Sequence, residues 1–123
     1  MAVTGPDFIA LQVRDLEKAA SFYEDVVGLA RAPFSPPHAV VFDTQPTFAV
    51  RDPSPDVDLD AGPVGLGVAL WLHDPEAMTL HATVAAAGAD IVQEPFDGPF
   101  GTTFVFKDLD GYLVTVHDRA TRA

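Results

Sequence analysis

The chain has 123 residues, no cysteine and a formal net charge of −11 at pH 7. Without cysteine it can form neither disulfides nor thiolate metal sites, and its seven basic side chains are too few for the basic stripe that binds nucleic acid. The first residues show no signal sequence, and no apolar run reaches the ~20 residues that span a bilayer, so we expect a cytoplasmic protein without nucleic-acid or membrane partners.

The first half of the chain predicts a strand, a helix and a strand pair. Residues 8–13 alternate in polarity, and residues 15–28 have the apolar spacing of a helix. After a short strand near residues 30–33, the segments at 38–42 and 47–51 predict the strand pair, because each is rich in residues that favour strands and is bounded by turn residues. These elements form a βαβββ module.

The second half predicts the same elements in the same order. A strand at residues 67–72 precedes a helix at 74–88, and a short strand near 91–93 precedes a strand pair at 102–107 and 113–117. An Asp-Gly turn joins the last two strands. Repetition at this length indicates duplication of one supersecondary unit.

Residues that begin and end helices flank both predicted helices. Asp15 and Asp74 fit N-caps, Pro75 fits a first helical position, and Gly28 and Gly88 fit the left-handed residue after a helix. The side chains expected to face the core are Leu16, Ala20, Tyr23 and Val27 in the first helix, and Met78, Ala82, Ala85 and Ala86 in the second.

Three stretches of the sequence carry a family resemblance: VRDLEKAASFYEDVVGL at residues 13–29, PFG at 99–101 and FKDLDGY at 106–112. They resemble the vicinal oxygen chelate superfamily, also called the glyoxalase/bleomycin resistance protein/dioxygenase superfamily. The resemblance implies an α+β fold in which two βαβββ modules form a curved mixed sheet around a cup, with a homodimer as the assembly. The single domain covers residues 1–123, with module one at about 7–52, a Pro- and Asp-rich linker at about 53–63 and module two at about 64–118.

The metal enzymes of this family take ligands from the first and last strands of each module, all facing the cup. The resemblance places these four positions at Phe8, Ala49, Gly67 and Thr115. None of them supplies the imidazole nitrogen or carboxylate oxygen that a divalent ion prefers. We therefore expect neither a metal ion nor another cofactor.

Strand alternation assigns one face of each sheet to the core and the other to the cup. The cup face combines flat aromatic surface, small side chains and a few hydrogen-bonding groups, as small-molecule sites do, and the loops carrying Phe34, Phe96 and Phe100 are expected to add aromatic rings. Trp71 and Phe100 also match aromatic positions of the drug-binding family members. The predicted substrate-binding residues are Phe8, Gln12, Phe34, His38, Ala49, Arg51, Trp71, Phe100, Thr115 and His117.

The sequence thus favours a metal-free protein of the bleomycin-resistance type. It would sequester an aromatic or polycyclic natural product or antibiotic by stacking on Trp71 and Phe100, and the acidic composition favours a cationic ligand. One alternative is a glyoxalase-like lyase, isomerase or dioxygenase, with atypical metal ligands around His73 and His117 or with His117 as acid–base. Another is a partner-binding protein whose own side chains fill the cup.

Overall fold

The computed structural model describes residues 2–122 of the chain. They form an α+β fold that divides into two compact units, with the boundary between Gly62 and Pro63. No helix in this part of the chain is long and apolar enough to cross a membrane.

The first unit contains β1 (Phe8–Gln12), α1 (Leu16–Ser21) with a π-helical continuation (Phe22–Val27), β2 (Ala39–Phe42) and β3 (Thr47–Arg51). The second contains β4 (Leu70–His73), α2 (Ala77–Ala86), β5 (Asp90–Gly98), β6 (Gly101–Lys107) and β7 (Leu113–His117).

The first unit is an open three-stranded sheet in the order β1-β3-β2. β1 runs parallel to β3, and β2 runs antiparallel to it. The buried ring of Tyr23 lies 5.0 Å from the ring of Phe48 and 6.2 Å from that of Phe42, measured between centroids. The apolar face of the first helix is therefore packed on this sheet.

The first helix begins and ends at the predicted residues. The Asp15 carboxylate accepts the backbone N–H of Lys18 at 3.1 Å, which confirms it as the N-cap. Beyond Ser21 the helix widens to π geometry, and the N–H groups of Gly28 and Leu29 both donate to the carbonyl oxygen of Tyr23 at its end.

The strand predicted near residues 30–33 is wrong in extent. Only one bridge forms there, between Arg31 and Phe42. Pro33 and the prolines that follow it lack the N–H donors that a longer ladder needs. His38, predicted to begin a strand, instead lies in a turn with φ 66°, and β2 begins one residue later.

The second unit is an open four-stranded sheet in the order β4-β7-β6-β5. β4 runs parallel to β7, and the other neighbours are antiparallel. Its core is aromatic and β-branched, because alternate residues of the two central strands point away from water: Phe104, Phe106, Val114 and Val116 are fully buried.

The predicted face and start of the second helix are wrong. The buried residues are Ala77, Leu80 and Val84, whereas Met78 is exposed. Leu80 and Val84 remove more apolar surface from water than a stripe of alanines could. Asp74 accepts the backbone N–H of Glu76 at 2.8 Å, so it closes a turn before the helix rather than capping it.

Two strand predictions in the second unit are also corrected. Gly67 lies in a turn and β4 begins only at Leu70. β5 is much longer than the predicted residues 91–93, and Phe96 lies within it rather than in a loop. Pro95 suggested a loop, but it falls at a register irregularity of an edge strand, where proline is tolerated.

The Asp-Gly turn between β6 and β7 is organised by a buried carboxylate. Asp108 accepts the backbone N–H groups of Asp110 at 3.0 Å and Tyr112 at 2.9 Å. Its own N–H donates to the carbonyl of Tyr112 at 2.9 Å. Asp108 of the FKDLDGY stretch therefore stabilises a turn.

Arg31 holds two carboxylates of the first helix. Its guanidinium donates to Glu17 at 2.7 Å and to Glu24 at 3.0 Å. The hydrogen bond and the positive charge of Arg31 lower the pKa of Glu17 from its ordinary value of 4.5. The group is fully exposed, so the contribution to stability is small and sensitive to salt.

We expect Asp108→Ala to lower the free energy of unfolding by roughly 1–3 kcal/mol, because one buried and one half-buried N–H group lose their acceptor. Urea unfolding measures the change. Asp97→Ala, at an exposed position of β5, is the matched control and should change little. Equal losses in the two variants would contradict the assigned role of Asp108.

The Glu17 ion pair predicts a pH dependence. A lowered folded-state pKa stabilises the fold above pH 4.5, and this stabilisation disappears as the pH falls through the lowered value. Wild type should therefore be more stable than Glu17→Gln at pH 7, with the difference vanishing in acid. Unfolding at a series of pH values tests this, and a difference that grows in acid would contradict it. Glu76→Gln, at another exposed glutamate, is the control.

Candidate functional site

The pairing of β4 with β7 brings four predicted or candidate residues to one face of the second sheet. Trp71 lies opposite Thr115, and His73 lies opposite His117. Residues at alternate positions share a face, so these four side chains are neighbours. Their sequence neighbours on the two strands supply the core on the other face.

Three of these residues and Phe100 form an aromatic cluster, defined here as Trp71, His73, Phe100 and His117. The rings of Trp71 and Phe100 are perpendicular, with centroids 6.2 Å apart. The imidazole of His117 lies 5.5 Å from the Trp71 ring, 5.9 Å from the Phe100 ring and 5.8 Å from the His73 ring. His117 is thus the centre of the cluster.

Exposure differs sharply within the cluster. Trp71 keeps 45% of its surface exposed, whereas His117 keeps 3%. Phe100 and His73 border His117, and Thr103 lies opposite it on β6. The cluster therefore presents a broad aromatic surface above an almost buried imidazole.

Phe100 reaches the cluster because its hairpin is tied to the end of β7. The Asp118 carboxylate accepts the N–H of Thr102 at 2.9 Å, and the Asp118 N–H donates to the carbonyl of Thr102 at 3.1 Å. The N–H of Arg119 donates to the carbonyl of Phe100 at 3.0 Å. Three hydrogen bonds thus fix the two-residue turn that carries Phe100.

Gly101 is required at the end of this turn. Its φ is +84°, and a Cβ atom there would overlap the Asp118 carboxylate. Any other residue would have to move Asp118 away from the N–H of Thr102. The PFG stretch of the sequence is therefore the part of the chain that allows the aromatic turn to approach β7.

The tautomer of His117 follows from its hydrogen bond. Nδ1 lies 2.8 Å from the carbonyl oxygen of Arg119. A carbonyl oxygen can only accept, so Nδ1 carries the proton. In the neutral ring Nε2 is then an acceptor.

The structure places the predicted site residues of the first unit on or beside its sheet. Gln12 lies opposite Arg51, and its side-chain oxygen accepts the N–H of Ser54 at 2.7 Å. Arg51 donates to the carbonyl of Asp52 at 2.9 Å and to the hydroxyl of Ser54 at 3.3 Å. Both side chains thus hold the backbone that follows β3.

The remaining predicted residues of this unit differ in exposure. Phe8 is about half exposed, Phe34 is exposed in the proline-rich loop, and Ala49 is buried. His38 is exposed and lies 3.1 Å from the Asp52 carboxylate.

Asp118 is the functional residue that sequence reasoning missed. It follows β7 and has no neighbour in sequence that would indicate its role. Its partner Thr102 is brought close only when β6 pairs with β7. The two-residue period of β4 places His73 on the same face as Trp71.

The four positions that the resemblance assigns to metal ligands lack the donor atoms that a divalent ion prefers. Phe8, Ala49 and Gly67 supply no side-chain donor atom, and Thr115 supplies one hydroxyl oxygen. Within residues 2–122, no three His, Asp or Glu side chains are grouped so that they could hold a metal ion.

A family model now identifies the fold. The model of the glyoxalase/bleomycin resistance protein/dioxygenase superfamily matches residues 5–116. The chain belongs to this superfamily. No curated protein is similar enough in sequence to match it.

Solved structures share the fold at low identity. TnmS3, an antibiotic binding protein from Streptomyces sp. CB03234, is 22% identical with a TM-score of 0.75, over 98% of this chain and 99% of that one. A glyoxalase-related enzyme from Fulvimarina pelagi is 20% identical with a TM-score of 0.75, over 95% and 89%. A glyoxalase/bleomycin resistance protein from Streptomyces sp. CB03234 is 22% identical with a TM-score of 0.71, over 90% and 97%.

Substitution of Gly101 tests the turn that carries Phe100. Gly101→Ala should lower the free energy of unfolding and red-shift the emission of Trp71, because Phe100 would leave the indole more exposed to water. Trp71 is the only tryptophan, so its emission reports on the cluster alone.

Gly67→Ala is the matched control for this variant. Gly67 has the same φ of +84°, but no atom lies within 4 Å of its added Cβ. It should show only the backbone strain of about 1–2 kcal/mol. Equal stability losses with unchanged Trp71 emission in both variants would contradict the overlap with Asp118.

Proposed function

We propose that this protein is a metal-free binding protein that sequesters an aromatic or polycyclic small molecule, such as a natural product or antibiotic, and so confers resistance to it. The observation that carries the proposal is the aromatic cluster. It keeps the indole of Trp71 nearly half exposed while the indole contacts the rings of Phe100 and His117. A flat ligand could cover this indole without any rearrangement of the core.

Ring stacking and area burial supply the affinity. Each aromatic pair contributes about 0.5–1.5 kcal/mol beyond the area that it buries, and the ligand and the indole lose apolar surface together at about 25 cal/mol per Å². The net charge of −11 favours a cationic ligand near the protein. A cation over the indole would gain further from the ring quadrupole.

Relatives with the same fold support binding without deciding it. TnmS3 is named as an antibiotic binding protein, whereas the Fulvimarina pelagi protein is named as a glyoxalase-related enzyme. Because one fold can carry both binding proteins and enzymes, the function has to be inferred from the residues of the site. The lack of suitable metal ligands at Phe8, Ala49, Gly67 and Thr115 favours binding over metal catalysis, because sequestration needs affinity and no metal chemistry.

The proposed assembly is a homodimer in the cytoplasm. Both sheets are open, and each ends in edge strands whose backbone groups can pair with another chain. A symmetric dimer is the commonest way to cover such edges. Size-exclusion chromatography with light scattering would test the dimer, and a monomeric mass at micromolar protein would contradict it.

Trp71→Ala should weaken the binding of proflavine, a flat tricyclic cation, by at least tenfold, which is about 1.4 kcal/mol. The fold should persist because Trp71 is half exposed, and circular dichroism would verify this. Calorimetric titration measures the affinity. Met78→Ala removes an equally exposed apolar side chain from α2 and should bind proflavine like wild type. Unchanged affinity of Trp71→Ala would contradict the proposal.

A second candidate is an enzyme that uses His117 for proton transfer. The fixed Nδ1–H leaves Nε2 of the neutral ring as a base beside an aromatic surface. An enzyme that uses His117 alone needs no metal, whereas one with atypical metal ligands does. Plasma mass spectrometry of tag-free protein measures the metal content and distinguishes the two. Stoichiometric metal whose removal abolishes a turnover would contradict the binding proposal.

A further inference from the structure

We propose that Nε2 of His117 is a hydrogen-bond acceptor at the base of the aromatic cluster, and that the ligand is therefore an aromatic molecule with a hydroxyl or N–H donor on its ring system. This inference rests on the proposed function and specifies the class of ligand. It depends on the tautomer, the fixed orientation and the access of this imidazole.

The orientation of the imidazole is fixed by the same contacts that hold the hairpin. Nδ1–H donates to the carbonyl of Arg119 at 2.8 Å. Arg119 is itself held, because its N–H donates to the carbonyl of Phe100 at 3.0 Å, and the preceding Asp118 is bonded to Thr102. A ring flip would lose the Nδ1 bond without offering the carbonyl another donor.

Nε2 stays within reach of solvent although the ring is almost buried. Among the side chains of residues 2–122, no buried nitrogen or oxygen atom lacks a hydrogen-bond partner. The one hydrogen bond of the His117 ring uses Nδ1. The small exposed fraction of His117, 3%, must therefore include Nε2.

The neighbours of the His117 imidazole are aromatic rings. Trp71, His73 and Phe100 lie 5.5 to 5.9 Å from the His117 ring between centroids. A flat ligand that covers Trp71 would also displace water from Nε2. A ligand with a donor replaces that water, whereas one without a donor leaves the acceptor unsatisfied, and sites that hydrogen-bond a ligand group discriminate strongly against its absence.

Two naphthalenes test the inference, one with a hydroxyl donor and one in which a methyl group replaces the hydroxyl hydrogen. Wild type should bind 2-naphthol at least about tenfold more tightly than 2-methoxynaphthalene, equivalent to about 1.4 kcal/mol. His117→Phe should abolish this preference, because it removes the acceptor that 2-methoxynaphthalene leaves unsatisfied. Calorimetric titration provides both affinities.

His81→Phe is the matched control, because it makes the same substitution on α2, away from the cluster, where His81 contacts Glu94 and Phe104. It should retain the preference for 2-naphthol. Loss of the preference in this control as well would overturn the assignment to His117.

The failure of this inference differs from that of the proposed function. One outcome is that proflavine binds through Trp71 while wild type shows no preference for 2-naphthol. That result would overturn the acceptor role of His117 and leave the binding function standing. The same conclusion follows if proflavine binds and neither naphthalene does. If neither proflavine nor either naphthalene binds, the proposed function and this inference fall together.

Nitrogen NMR provides a test that needs no variant, should His117→Phe fail to fold. In the neutral ring of His117, the spectrum of wild type should show a protonated Nδ1 and a non-protonated Nε2. Addition of 2-naphthol should shift the Nε2 resonance much more than the Nδ1 resonance, and 2-methoxynaphthalene should not. A proton on Nε2 alone, or equal responses to both ligands, would overturn the inference.

Discussion

The hydrogen bond between the Asp118 carboxylate and the N–H of Thr102 joins two parts of the second unit that are distant in sequence. On one side lies the turn that carries Phe100, and on the other lies the end of β7 that carries His117. If this contact were lost, the turn would no longer be tied through the carboxylate to the strand beneath it. The absence of a side chain at Gly101 allows the carboxylate to approach so closely. The aromatic cluster therefore depends on a polar contact at its rim as well as on ring packing.

The two units share a plan but use side chains of their first strands differently. Gln12 and Trp71 each lie three residues before the aspartate that precedes a helix, and each lies opposite a residue of the parallel last strand of its sheet. The side-chain oxygen of Gln12 accepts the N–H of Ser54, so Gln12 stabilises the backbone that follows β3. Trp71 instead presents its ring to solvent. The first strand thus supports backbone in the first unit and exposes an aromatic ring in the second.

The stretches that identify the family are mostly concerned with folding. Asp15 caps the first helix, and Asp108 organises the turn before β7. The side chains proposed to bind a ligand lie largely outside these stretches, on β4 and β7. In this chain the caps and turns therefore depend on these stretches, whereas the proposed site depends mainly on strand residues.

The sequence by itself determined the α+β plan, the bounds of β3 and β7, the cap at Asp15 and the shared face of Trp71, Thr115 and His117. These features depend on local hydrogen bonding and on the two-residue period of a strand, and residues close together in the sequence specify both. The tertiary structure decided which face of α2 is buried, where β4 and β5 begin and end, and how Phe100 meets His117. Those outcomes depend on strand register and on the pairing of Asp118 with Thr102 across a hairpin, and such long-range contacts leave no periodic signal in the chain.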